Sequence, residues 1–310
     1  MDDVTAGLSS PLKALAPKYF YDERGARLFE AICRTPEYYP TRAETVLMTE
    51  HAREMARRLG PRTVVIEFGS GSGSKTRILI DALRPVAYIP IDISREQLHE
   101  TAAVFASAYP RLAVHAVCAD YSRPLLLPQL ETLGARRRVV YFPGSTIGNL
   151  SVPEAAAFLV HARVLAGPGG AMLVGVDLKK DPARLNAAYN DAAGVTAAFN
   201  LNLLRRINRE LDGDFDLGAF RHHAFYHGPR GRIEMHLVSL KGQTVRIGGH
   251  AFPFRGGESI HTENSCKYSV DEFQRIAIGA GFDPAACWTD REHLFSVHCL
   301  VVPRREGGSR

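Results

Sequence analysis

The sequence predicts an α/β fold in which a mostly parallel sheet lies between helices and is interrupted by an α+β subdomain. Over residues 44–178, apolar runs of strand length alternate with helical segments, which is typical of a doubly wound sheet. Over 179–267 the pattern changes to helices followed by short alternating strands, and 268–310 returns to a helix and a strand pair. We therefore expect a discontinuous sheet domain with an inserted subdomain. The N-terminal segment 1–43 is expected to join the inserted subdomain.

The composition is that of a globular chain and argues against several classes of protein. The 310 residues are 45% hydrophobic, and no apolar run approaches the roughly 18 to 20 residues of a membrane helix. The N-terminus has no signal-peptide pattern, so we expect a cytoplasmic protein without membrane contacts. The net charge is +5, but the densest basic run, 136–138, has no interleaved aromatic residues, so we expect no nucleic-acid partner. A monomer is expected.

Cysteine and histidine patterns predict no metal site and no disulfide framework. The five cysteines are odd in number and lack C-x-x-C spacing. Among the twelve histidines, His222 and His223 are adjacent and would point to opposite faces of a strand. We expect structural or solvent-exposed roles for the histidines.

The N-terminal segment combines aromatic residues with a short helix predicted over 25–32. Either an aromatic cluster pins this helix to the body, or tyrosine hydroxyls line a pocket, and periodicity does not separate the two. After it, Thr41 and Glu44 have the spacing of a capping box for a helix that ends at Gly60. The aromatic residues of the segment are Tyr19, Phe20, Tyr21, Phe29, Tyr38 and Tyr39.

The strand predicted over 64–68 leads into three alternating glycines, Gly69, Gly71 and Gly73, and then into a helical segment that ends at Leu83. Glycines adopt positive φ and leave no Cβ between the backbone and a ligand. The turn is therefore typical of a nucleotide-type site.

The residues around this turn indicate which nucleotide it binds. A P-loop requires glycine before its lysine, but Ser74 precedes Lys75. A dinucleotide site requires G-x-G-x-x-G, from which this pattern is offset by one residue, and Glu67 lies two residues ahead of the first glycine. The pattern E-x-G-x-G-x-G after a first strand favours S-adenosylmethionine (SAM).

Acids at the ends of the next two strands support this interpretation. Asp92 ends the strand 87–92, about 20 residues beyond the glycines, where a carboxylate can accept both ribose hydroxyls. A third strand, 112–117, precedes Asp120 and Tyr121, which could meet the adenine amino group and ring. A single strand-end aspartate is often only a cap or turn former, so the prediction depends on the combination.

The remaining strands of the sheet follow the same alternation. A fourth strand, 138–143, opens into a loop that carries Asn149, and a helix capped by Ser151 and Glu154 follows before the fifth strand, 171–176. Ligands of such sheets lie beyond the carboxyl ends of the strands, which is where Asn149 falls. Outside this region we expect one or two helices over 186–211, strands over 220–225, 232–240, 244–247 and 258–266, a helix capped by Ser269, and strands over 286–289 and 294–302.

These residues taken together resemble the histidine Nα-methyltransferases of ergothioneine biosynthesis, along nearly the whole chain. The resemblance implies a Rossmann-like class I SAM-dependent methyltransferase sheet with an inserted α+β substrate-binding subdomain, and conversion of L-histidine to hercynine by three methyl transfers. The motifs that carry it are the glycine turn, Lys18-Tyr19-Phe20-Tyr21-Asp22, Pro36-Glu37-Tyr38-Tyr39-Pro40-Thr41-Arg42, Gly144-Ser145-Thr146-Ile147-Gly148-Asn149, Ala188-Tyr189-Asn190-Asp191 and Thr262-Glu263-Asn264-Ser265-Cys266-Lys267.

The resemblance also implies roles for individual residues in a substrate pocket between the SAM domain and the insertion. Tyr38, Asn149 and Tyr189 would hold the amine and carboxylate of histidine, with Asn149 and Tyr38 orienting the reacting nitrogen and Tyr38 able to relay its proton. Tyr21 lies nearby in this scheme. The residues expected to contact SAM are Gly69, Lys75, Asp92, Asp120 and Tyr121, and those expected at the imidazole are Glu263, Ser265 and Met235.

Two other functions remain open on the sequence. An enzyme of the same fold could methylate another amine, such as a tryptophan derivative, although Glu263 and Ser265 would then be unnecessary. A SAM-binding protein without catalysis is the alternative from another class.

Overall fold

The computed structural model describes residues 1–71, 73–119, 125, 127 and 134–304. Contacts divide the chain into two compact units, which we call the insertion unit (Met1–Tyr39 with Lys180–Lys267) and the sheet unit (Pro40–Lys179 with Tyr268–Arg310). No helix within the described ranges is long and apolar enough to cross a membrane.

The elements of both units are numbered in chain order. The helices are α1 Asp2–Ser9, α2 Glu23–Ile32, α3 Pro40–Leu59, α4 Ser74–Leu83, α5 Arg95–Ala108, α6 Val152–Ala166, α7 Pro182–Ala188, α8 Val195–Leu211 and α9 Val270–Gly279. The strands are β1 Thr63–Phe68, β2 Ala87–Asp92, β3 Ala113–Val114, β4 Val117–Cys118, β5 Arg137–Phe142, β6 Ala171–Asp177, β7 Phe220–His227, β8 Arg232–Ser239, β9 Gln243–Ile247, β10 His250–Phe254, β11 Ser259–Cys266, β12 Asp283–Thr289 and β13 Phe295–Val301.

The sheet unit contains the predicted α/β sheet, in the order β12-β13-β6-β5-β1-β2-β3, with β4 also paired to β2. The strands from β3 to β6 are parallel, and β13 runs antiparallel to β6. All six residues of β1 are buried, as expected for a strand with helices on both faces. The strand order reverses between β1 and β5, and the crevice at such a switch point is where these sheets bind ligands.

The third predicted strand, 112–117, is wrong as a single element. In its place β3 pairs with Ala87 and Tyr88, and β4 pairs with Ile91 and Asp92. The interruption lies opposite the middle of β2, where Pro90 has no N–H to donate to a ladder. One proline therefore accounts for the break.

The predicted capping box at Thr41 is also wrong. The helix α3 begins at Pro40, so Thr41 lies inside the helix. Glu44, whose side chain would accept the Thr41 N–H in a capping box, is fully buried instead. The capping boxes predicted at Ser151 and Ser269 are confirmed, since each serine and the glutamate three residues later hold the first turn of α6 and α9.

The insertion unit packs helices on an antiparallel sheet ordered β11-β8-β7, and β9 and β10 form a separate pair. The strand β10 was not expected from the sequence. It contains Pro253, which is tolerated because β10 lies at the edge of its two-stranded sheet. Aromatic rings join the N-terminal segment to α8, with Phe20 stacked on Phe199 at 4.5 Å between centroids.

Candidate active site

The glycine turn between β1 and α4 has the backbone geometry that only glycine adopts easily. The φ angles of Gly69, Gly71 and Gly73 are 70°, 45° and 66°. A Cβ at Gly73 would lie 2.5 Å from the ring of Phe105, whereas a Cβ at Gly69 or Gly71 would meet no described atom within 4 Å. Gly73 is therefore required by packing, while Gly69 and Gly71 leave bare backbone at the carboxyl end of β1.

Glu67, the acid ahead of this turn, faces the interior of the sheet unit. Its carboxyl accepts hydrogen bonds from the Thr76 hydroxyl, at 2.7 Å, and from the Tyr88 hydroxyl. Burial raises the pKa of Glu67 to about 8. This carboxyl therefore ties the first turn of α4 to β1 and β2, and it is an internal anchor of the turn.

Asp92 ends β2 beside the glycine turn. Its carboxylate accepts the Ser94 N–H at 3.0 Å, and the backbone N–H groups of Ser70 and Gly71 also favour its charged form. Burial nevertheless raises the pKa of Asp92 above its ordinary value. The Asp92 carboxylate, which is expected to accept the ribose hydroxyls, therefore lies beside the glycine turn that is expected to hold the adenosyl group. Asp120 and Tyr121 lie outside the described residues.

A buried ion pair, which the sequence analysis missed, lies behind the turn. The ammonium of Lys75 pairs with the carboxylate of Glu44, which also accepts the Gly144 N–H at 2.9 Å. The absence of a side chain at Gly175 in β6 makes room for this carboxylate, because a Cβ there would lie 2.2 Å from Glu44 Oε1. Glu44 therefore links a predicted SAM residue to the loop that leads to Asn149.

That loop adopts a strained conformation before the short 3₁₀ helix Thr146–Asn149. Ser145 has a φ of 57°, which is unfavourable for a side-chain-bearing residue. Its hydroxyl accepts the Asp177 N–H at 2.9 Å, which fixes the loop to the end of β6. Asn149 is half-buried at the end of the 3₁₀ helix, beyond the carboxyl end of β5.

In the insertion unit, the tyrosines predicted at the substrate amine lie close together. The rings of Tyr38 and Tyr189 meet edge to face at 6.2 Å between centroids. Tyr21 contacts Phe29, which in turn contacts Tyr38. Burial raises the pKa of Tyr38 well above its usual value, and the nearby Tyr189 and Glu263 act in the same direction. The Tyr38 hydroxyl is therefore a neutral hydrogen-bonding group, and it is not suited to act as a base.

The residues predicted at the imidazole lie on one face of β8 and β11. Met235 pairs directly with Glu263, and both side chains are buried. The Ser265 hydroxyl accepts from the Tyr189 hydroxyl at 2.8 Å and from the ammonium of Lys267 at 2.8 Å, and Lys267 also donates to the Tyr189 hydroxyl at 3.0 Å. Lys267 was part of the motif but had no predicted role. Within this unit, the structure brings together Tyr38, Tyr189, Met235, Glu263 and Ser265, with Tyr21 one aromatic ring further away.

Three potential metal ligands also lie together on the other face of the same strands, in the part of the chain that the structure describes. Ligand atoms of Glu234, His236 and His261 lie within 4.8 Å of one another. Each already has a protein partner, because Arg232 donates to Glu234 at 2.7 Å and His261 meets Asn264 at 3.0 Å, while His236 contacts the Glu234 carboxylate at 3.3 Å. Hydrogen bonding accounts for this cluster.

Comparison with known proteins matches nearly the whole chain. Residues 1–302 match the family model described as histidine-specific methyltransferase, SAM-dependent. The chain is 42% identical to the histidine N-alpha-methyltransferase of Mycolicibacterium smegmatis over 96% of this chain and 94% of that protein. It is 34% identical to ergothioneine biosynthesis protein 1 of Neurospora crassa, over 92% of this chain and 32% of that protein.

A solved structure shares the fold at low sequence identity. A putative methyltransferase from Thermobifida fusca superposes with a TM-score of 0.51 at 13% identity, over 96% of this chain and 97% of that one. The methyltransferase fold expected from the sequence is confirmed.

Proposed function

Because this chain belongs to the family of histidine-specific, SAM-dependent methyltransferases, we propose that it methylates the α-amino group of L-histidine three times. The product is hercynine, and the reaction is the first step of ergothioneine biosynthesis. The observation that carries the substrate assignment is the buried wall formed by Met235, Glu263 and Ser265 in the insertion unit.

This wall has the chemistry that an imidazole requires. A carboxylate at Glu263 accepts a ring N–H, the Ser265 hydroxyl bonds the other ring nitrogen, and Met235 packs on the ring face. A buried polar site of this kind rejects substrates that lack the matching groups, because such substrates displace water from the site and offer no hydrogen bond in exchange. A phenylalanine or leucine side chain has no N–H to donate to the Glu263 carboxylate.

SAM binding is assigned to the carboxyl edge of the sheet unit. The backbone at Gly69 approaches the adenosyl group, and Asp92 accepts the ribose hydroxyls, with Asp120 and Tyr121 at the adenine. Lys75, held by Glu44, supplies a positive charge for the methionine carboxylate. Since SAM carries the reacting methyl group on its sulfonium, these residues position the donor.

The amine and the carboxylate of histidine are assigned to Tyr38, Asn149 and Tyr189, with Tyr21 lining the same region. Methyl transfer is an in-line displacement, so the amine must be neutral and its lone pair must lie on the S–methyl axis. The amide oxygen of Asn149 accepts an amine N–H, and the neutral Tyr38 hydroxyl orients the nitrogen. The ammonium of free histidine first loses a proton to solvent, and the first two transfers each release one more. The third transfer gives a quaternary nitrogen that tyrosine rings stabilise by cation–π attraction.

The test is mass spectrometry of L-histidine incubated with the purified protein and SAM, with tryptophan and 4-substituted tryptophan in parallel. The proposal expects up to three added methyl groups on the α-nitrogen of histidine. Methylation of a tryptophan alone would replace the substrate assignment, and SAM binding without any methylation would favour a binding protein.

A further inference from the structure

The wall that carries Glu263 and Ser265 continues into a buried lysine. Glu263, Ser265 and Lys267 occupy alternate positions of an extended segment, so their side chains leave the same face. Lys267 is 2% exposed. A buried ammonium requires hydrogen-bond acceptors, and this one lies 2.8 Å from Ser265 Oγ and 3.0 Å from the Tyr189 hydroxyl oxygen. Lys267 is therefore a fixed part of the wall.

The hydrogen bonds from Lys267 and Tyr189 together determine whether the Ser265 hydroxyl donates to a ligand or accepts from it. An ammonium only donates, so Ser265 Oγ accepts from Lys267, and it also accepts from the Tyr189 hydroxyl at 2.8 Å. Two accepted bonds occupy both lone pairs of a hydroxyl oxygen. Among the contacts of the described residues, none uses the hydroxyl hydrogen of Ser265. Ser265 can therefore donate a hydrogen bond to a ligand.

We propose that Lys267 makes the site select the neutral imidazole of histidine over the imidazolium. The inference rests on the proposed function, in which Glu263 and Ser265 hold the ring. A neutral imidazole offers one N–H, which Glu263 accepts, and one lone pair, to which Ser265 donates. An imidazolium would turn a second N–H toward Ser265, whose lone pairs are occupied, and would bring a second cation toward Lys267.

The effect of Lys267 opposes that of Glu263. A carboxylate alone favours the charged form of a neighbouring imidazole. Removing the ammonium frees a lone pair on Ser265 and leaves the negative charge of Glu263 to dominate. The protonation preference of the site should therefore shift toward the imidazolium when Lys267 is replaced, and Lys267 acts as a positioning residue through Ser265.

Other titratable groups lie around this wall and must be separated from the effect of the ligand. Phenols and thiols ordinarily titrate above pH 8, outside the range of the test. Histidines ordinarily titrate inside it, and burial lowers the pKa of His222, His236 and His261 from the ordinary value. The Nε2 of His222 meets the Tyr189 carbonyl at 2.8 Å. The neighbouring groups are Tyr21, Cys33, Tyr38, Tyr189, Asp191, His222 and Glu263, with Glu234, His236 and His261 on the opposite face.

Hercynine is the probe for this inference, because its quaternary nitrogen does not titrate and its ring does. We would measure its Kd by calorimetry on the full-length protein saturated with S-adenosylhomocysteine, from pH 7.5 to 5.5. With a ring pKa near 6.5, the neutral fraction falls about tenfold over this range. The wild-type Kd should rise by about the same factor, and the Kd of Lys267→Met should stay level or fall.

Two further variants serve as controls. Lys267→Arg keeps the charge and donors and should keep the rise in Kd, whereas the exposed Lys241→Met in the same unit should behave as the wild type. A wild-type Kd that stays level or falls would overturn the inference even if no variant folds, and so would a Lys267→Met variant with the wild-type slope. Failure of hercynine to bind at any pH, with S-adenosylhomocysteine bound, would instead overturn the proposed function and the inference with it.

Discussion

Replacing Glu263 with glutamine tests the substrate assignment with little change in side-chain volume. Glu263 is 8% exposed, so solvent and salt do little to screen its charge. A hydrogen bond to a charged group contributes about 1.5 to 3 kcal/mol, where a neutral one contributes about 1. Glutamine still accepts a neutral hydrogen bond, so the expected loss is the difference of about 0.5 to 2 kcal/mol, and kcat/KM for L-histidine should fall by about 2- to 30-fold.

The assay is the initial rate against histidine concentration at saturating SAM, together with calorimetry of SAM binding. The Kd of SAM should stay unchanged, since the SAM residues lie in the other unit. Glu258→Gln is the matched control, because Glu258 precedes β11 and pairs with Lys13 at 2.6 Å. A kcat/KM for Glu263→Gln equal to that of the wild type within error, with a normal melting temperature, would refute the reasoning.

Three further predictions concern the buried groups of the site. Lys75→Met should lower the free energy of unfolding in urea by about 3 kcal/mol, because it leaves Glu44 buried without its cation. Adding Glu44→Gln should restore part of this stability, and equal stability of the single and double variants would contradict the prediction. Tyr38→Phe should lower kcat by about tenfold without moving its pH profile, because the phenol does not ionise; loss of a titration in that profile would show a base. The Glu67 pKa of about 8 lies above the ordinary value, so the folded state binds the proton more tightly, and stability from this group is lost as pH rises from about 5 to 8. Urea unfolding of Glu67→Gln should lack this loss, which approaches about 1 kcal/mol per pH unit, and parallel curves for the two proteins would contradict it.

The sheet could be predicted because its signals are local. The strand β2 coincides with an apolar run between Pro85 and an aspartate, and α6 lies between a capping serine and Gly167. The break in the third predicted strand depends on which residue of β2 lies opposite it. The position of β10 at a sheet edge depends on its pairing with β9. Such information belongs to the register of strands and is not contained in a short window of sequence.

Glu44 shows why part of the candidate site escaped prediction. Its spacing from Thr41 matches a capping box, but Pro40 already begins the helix, and the carboxylate turns inward to a backbone N–H 100 residues later in the chain. Lys267 is similar, because a lysine after a strand is usually solvated and its burial follows only from the packing of Tyr189 and Ser265. Both are buried charges whose partners come from distant segments.

The protonation states of the buried groups bear on how the proposed reaction proceeds. Tyr38 is held neutral, and Glu67 is an internal anchor, so the described residues assigned to the site supply orientation and charge complementarity and no strong base. A displacement at a sulfonium methyl group needs little more, because alignment of a neutral amine can itself supply much of the rate. In the proposed site, selectivity among amines depends on the side chain that the β8–β11 wall accepts. We propose that this wall distinguishes an imidazole by the Glu263 carboxylate and by the donor role of the Ser265 hydroxyl beside Lys267.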